Sequence, residues 1–149
     1  MRRLFVFNVV VLSASLVASA LGAGDEGKKD GPITAKAAFD RLKTMAGDWK
    51  NLGTPCNEEG NDQIQYKVTG AGSALVETSS PGTKMEMISV YHLDGDDLKM
   101  THYCPAQNQP RLKLNRAASK PDHLVFTFDG GSNIDEKGLH VSGLVLDFQ

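Results

Sequence analysis

The sequence predicts an all-β domain: an antiparallel up-and-down meander curling into a complete or incomplete β-barrel of about eight strands, with one short helix ahead of it. Three observations carry this expectation. Beyond Gly47, apolar residues alternate with polar ones, which is the two-residue period of a strand with one buried face. Turn residues recur at roughly eight- to twelve-residue spacing, as in antiparallel all-β domains. The links between candidate strands are short, so successive strands should be neighbours, and a curled meander of this kind reduces its exposed edges.

The chain begins with a segment of a different character. Met1-Arg2-Arg3 is a short positive end, an apolar run follows from Leu4 to Val17, and Ala18-Ser19-Ala20 presents small residues around a cleavage point. This is the layout of a secretory signal peptide. The apolar run is shorter than the roughly 20 residues that span a bilayer, so residues 1–20 are expected to be removed and the mature chain to be periplasmic or extracellular, without a membrane anchor. Residues 21–33, rich in glycine and charge, read as a flexible leader, and residues 34–149 as the single folded domain. Loss of Arg2 and Arg3 takes the formal charge from −2 to −4, an acidic balance that gives no reason to expect nucleic acid as a partner. In an exported chain Cys56 and Cys104 are candidates for a disulfide, with a pair of buried thiols as the alternative.

Thr34 is placed to cap a helix in which Ala35, Ala38, Phe39, Leu42 and Met45 recur at three- and four-residue spacing, ending near Gly47. Strands are expected over residues 48–52, 63–69, 74–78, 84–93, 97–104, 111–115, 123–128 and 139–148. Asp94-Gly95 suits the centre of a two-residue hairpin, and Pro81-Gly82 a type II turn. The residues from Asp129 to Gly138 read as a polar loop.

Alternation assigns faces. Ile64, Tyr66 and Val68 share one side of their strand, as do Leu112 with Leu114, and Leu124 with Phe126 and Phe128. Leu98, Met100, His102 and Cys104 fall together on the inner face of theirs. His140 and Ser142 share a face with Leu144, Leu146 and Phe148. The strand from 84 to 93 is apolar on both faces, so its inner side stays undecided. Signatures of hydrolytic, zinc-protease, dithiol or phosphate-loop chemistry are missing from the sequence, which leans away from an enzyme. Asp94, Asp96 and Asp97 form an acidic turn, for which the hairpin itself is the simpler account.

Gly47-Asp48-Trp49, opening the first strand after a short helix, is similar to the start of lipocalins and other calycins. The stretch from Tyr91 through Asp94-Gly95-Asp96 to Cys104, continued by Asn108-Gln109-Pro110-Arg111 and preceded by Ser73-Ala74-Leu75-Val76-Glu77, resembles a family of uncharacterised exported bacterial proteins, a domain of unknown function with a calycin-like, lipocalin- or nitrobindin-like barrel. The resemblance runs from about Phe39 to the last residue. It implies a barrel able to hold one small ligand, and no activity. Against that family the chain stops early, at Asp147-Phe148-Gln149, where relatives continue with a further hairpin. This suggests an open sheet edge.

The leading expectation is therefore an exported small-molecule-binding barrel for a small apolar ligand, with Trp49, Tyr66, Met100, His102, Phe126 and His140 as candidate lining. Two alternatives stand beside it. One is a haem- or metal-binding protein of redox chemistry, in which His102 or His140 is the axial candidate and haem the cofactor. The other is a structural domain that forms a homodimer through its open edge.

Overall fold

A computed structural model describes residues 2–4, 32–52, 61–135 and 138–149. The elements are β1 (Arg2–Leu4), α1 (Ala35–Lys43), β2 (Gly47–Asn51), β3 (Gln63–Thr69), β4 (Ala74–Ser79), β5 (Met87–Asp94), β6 (Asp97–Tyr103), β7 (Gln109–Leu114), β8 (His123–Ser132) and β9 (Gly143–Asp147). The strands form one sheet whose spatial order is their order in the chain. From β2 to β9 every pairing is antiparallel, and β1 lies parallel to β2. The fold is thus the expected up-and-down meander, curled into an open half-barrel. Most of the segment read as signal and leader lies outside the described residues.

The helix forms where its period and cap place it. Thr34 Oγ1 accepts a hydrogen bond from the Ala37 backbone N–H at 3.1 Å, which satisfies one of the orphan donors of the first turn. It ends at Lys43, earlier than the glycine. Thr44 and Met45 N–H groups close the last turn on Arg41 and Leu42 carbonyls, and Gly47, with φ of +130°, opens β2 instead. Ala35, Ala38, Phe39 and Leu42 of α1 are buried and join Leu75, Tyr91, Leu98, Met100, Leu112 and Phe126 of the sheet in one core. Ile33 belongs to it as well, and Arg116 Nε donates to its carbonyl at 3.2 Å. The helix thereby covers part of the inner face of the half-barrel.

Several boundaries differ from expectation for local reasons. The strand expected from Lys84 starts at Met87, because Ser80 to Glu86 is taken up by consecutive turns, with Thr83 N–H donating to Ser80 and Glu86 N–H to Thr83. Within them Gly82 has φ of +73°, as the third position of a type II turn requires. The two-residue loop of the β5–β6 hairpin is Gly95-Asp96, since Asp94 pairs with Asp97 in the ladder. Strand β8 runs on through Gly130 and Gly131 to Ser132, into the segment read as a polar loop, and there it pairs with Gln109 and Pro110 past a register shift. Strand β9 begins at Gly143 rather than Leu139.

Candidate functional site

Strand register brings four polar side chains into one row on the inner face. Tyr66 of β3 stands opposite Glu77 of β4, Glu77 opposite Ser89 of β5, and Ser89 opposite His102 of β6. The adjacent row is apolar apart from one hydroxyl: Leu75, Tyr91, Met100, Leu112 and Phe128. Its middle is buried, while Phe128 at the β8 end is 42% exposed.

Tyr91 links the two rows. It sits diagonally from Glu77 across β4 and β5, a separation that a long aromatic side chain can span, and its hydroxyl donates to Glu77 Oε2 at 2.8 Å. Tyr66 stands directly across from the same carboxyl on β3 and acts on it from there. Burial pushes the Glu77 carboxyl above its ordinary value, and the two phenols work against that by stabilising the anion. Burial, with the carboxyl alongside, in turn holds both phenols well above the usual tyrosine range. At the other end of the row Ser89 Oγ lies 3.0 Å from His102 Nδ1. Burial lowers the His102 imidazole, so it favours the neutral ring. Its Nε2 has no protein partner among the described residues.

The six residues read from the sequence as lining have different surroundings. Tyr66, Met100 and Phe126 are core residues, with Phe126 edge-on to Tyr91 at 5.9 Å between ring centres. Trp49 is half-buried, and its indole N–H donates to the Met45 carbonyl at 2.6 Å. It borders a cleft of about 410 Å³ with Asp48, Lys50, Asp62, Gln63 and Gln65. Four polar side chains of that cleft are paired with one another, Lys50 with Asp62 at 2.7 Å and Gln65 with Asp48 at 3.0 Å. His140 lies in the connection before β9, its ring 5.2 Å from that of Phe128 and its Nδ1 3.1 Å from the Gly138 carbonyl. Of the six, only Tyr66 and His102 stand in the polar row.

Cys104 is half-buried and its thiol donates to Asn108 Oδ1 at 3.3 Å. Its candidate partner Cys56 lies outside the described residues. Asn108 is buried, and its amide ties the segment before β7 to the Leu139 carbonyl at 2.8 Å. Asp94 and Asp97 of the acidic turn are engaged by Lys99 at 2.8 Å and Lys113 at 3.8 Å. Among the described residues, no three or more His, Cys, Asp and Glu side chains are grouped as metal ligands, and no helix is long and apolar enough to cross a membrane.

Sequence reasoning missed Glu77, Ser89 and Tyr91 as parts of a site. A signal for Glu77 was present, since it lies two residues from the apolar Leu75 and so shares its face. Ser89 and Tyr91 sit on β5, whose two apolar faces concealed the inner one.

Fold and site together define an open antiparallel half-barrel with a polar row set into an apolar inner face. No family model matches the chain, and no curated protein or solved structure matches it.

Proposed function

We propose that the chain is exported and that its half-barrel binds a small, mostly apolar molecule on the inner face, where the row ending at His102 meets the apolar row. One observation carries the reading. His102 has one ring nitrogen engaged by Ser89 and the other unclaimed among the described residues, at the end of a short polar row that adjoins the apolar row of Tyr91, Met100 and Leu112. Sites for small molecules combine apolar lining with a few convergent polar groups that orient the ligand. Export is supported by the charged, apolar and small-residue layout of the first twenty residues. The likeness of Gly47-Asp48-Trp49 and of the Tyr91 to Arg111 stretch to exported calycin-like barrels points the same way.

Native mass spectrometry of the full chain produced in its own host tests both halves. The expected result is a mature protein starting at Leu21, carrying a bound small molecule that is lost in His102→Ala. A protein without any retained mass overturns the binding half, and an intact Met1 terminus on cytoplasmic protein overturns export.

A further inference from the structure

Along β2 to β9 the Lys, Arg, Asp and Glu side chains keep to the outer side of the half-barrel, with one exception. Lys50, Lys67, Lys99, Arg111 and Lys113 alternate with inward-facing residues and so point outward. The aspartates of these strands do the same, from Asp48 to Asp147. Glu77 alone faces inward, in the row of Tyr66, Ser89 and His102. Tyr91 Oη donates to its Oε2 at 2.8 Å. Among the described residues no Lys or Arg forms an ion pair with it.

Glu77 also stands at a boundary. Helix α1 packs over β5 and β6, and the inward row of Leu75, Tyr91, Met100 and Leu112 shares the buried core with it. In the row of Glu77 that cover ends: Glu77 and His102 are half-buried, and so are Ser79 and Met87 in the row after it. A side chain that points inward and keeps access to solvent has that access through the hollow of the half-barrel. A carboxylate in such a place is costly unless a counter-charge or donors satisfy it, and the phenols that flank Glu77 are neutral.

We propose that Glu77 anchors the head group of the bound molecule, a protonated amine, while the apolar part of that molecule lies on the open inner face beside Met87. Resting on the binding function proposed above, this names its ligand class as a cationic amphiphile. An alkylammonium has three donors and no acceptor, as a lysine side chain has. Glu77 offers a carboxylate, and the Tyr91 oxygen, having donated its hydrogen, still accepts. The cation also supplies the counter-charge that no described side chain gives, and it acts against the burial that raises the carboxyl. An alcohol would gain only the hydrogen bond, and an anionic head would meet like charge. His102, two strands away or about 10 Å at ordinary strand spacing, bounds the same site on its far side.

Three probes with one tail and different heads test this: octylammonium, octanol and octanoate, titrated by calorimetry into the full chain at about pH 7, where the amine is protonated and the acid ionised. The expected result is octylammonium bound at least about tenfold more tightly than octanol, the gap between a charge-assisted and a neutral hydrogen bond, and octanoate not bound. In Glu77→Gln, whose amide oxygen still accepts from Tyr91, octylammonium and octanol should bind equally. Equal binding in the wild type, or a preference for octylammonium that survives in Glu77→Gln, overturns the amine assignment and leaves the binding function standing. Failure of all three probes also overturns the assignment, and the native mass spectrum then decides the binding function separately. If Glu77→Gln does not fold, nuclear Overhauser contacts in the wild type decide. The methylene beside the ammonium should contact the Tyr66 and Tyr91 rings; contacts to Trp49 instead, beside Asp48 and Asp62, overturn the assignment.

Discussion

Removing the Tyr91 hydroxyl should destabilise the fold by an amount that depends on pH. Tyr91 is fully buried and its hydroxyl donates to Glu77 at 2.8 Å, so Tyr91→Phe deletes one hydrogen bond while keeping the ring against Phe126. Where Glu77 is protonated the lost bond is neutral and costs about 1 kcal/mol; where it is ionised the lost bond is charge-assisted and costs about 2 to 2.5 kcal/mol. The difference, about 1 to 1.5 kcal/mol, corresponds to a further rise of about one pKa unit at Glu77. The sign follows from linkage. Burial holds the folded-state value above the ordinary 4.5, so the stability linked to Glu77 is fully present below 4.5 and is lost as pH rises through the folded value. The variant raises that value further and deepens the loss. Urea unfolding of both proteins at about pH 4 and about pH 8 reads the effect, since other titrating groups cancel in the difference. An equal cost at the two pH values would refute the account of Glu77 as a buried carboxyl held by this phenol.

Other substitutions probe the frame around the row. Phe126→Ala removes a side chain that is 1% exposed and packed between Leu114 and Leu144, and should cost about 3 to 5 kcal/mol in chemical unfolding. Gly131→Ala puts a Cβ 2.6 Å from the Gln109 carbonyl oxygen and 2.9 Å from Pro110 Cα. Backbone must shift to admit it, so a loss of about 1 to 3 kcal/mol is expected, with amide exchange speeding up along β7 and β8. Thr34→Ala removes the cap on the Ala37 N–H and should cost about 1 kcal/mol, restored largely by Thr34→Asp.

Much of the architecture was legible because it is written locally. The α1 stripe of Ala35, Ala38, Phe39 and Leu42 and its Thr34 cap involve residues within a few turns of one another, and both formed where expected. Strands with one apolar face declared that face: Ile64 and Tyr66, Leu112 and Leu114, and Leu124 and Phe126 are all buried. The rule weakens at strand ends. Val68 and Phe128 carry the inward period yet are 36% and 42% exposed, because the open half-barrel does not cover them.

By itself the sequence determined the class of the protein: one helix, a run of eight antiparallel strands, and the inner side of most of them. These follow from period and turn chemistry within each segment. Tertiary structure decided which side of β5 is buried, and with it the site. Met87, Ser89 and Tyr91 face inward there, against an equally apolar outer side of Ile88 and Val90. Only pairing with β4 and β6 settles such a case. The same register sets Tyr66, Glu77, Ser89 and His102 side by side, although each lies a full hairpin from the next along the chain. Contact between them is a product of cross-strand alignment, which no local pattern encodes.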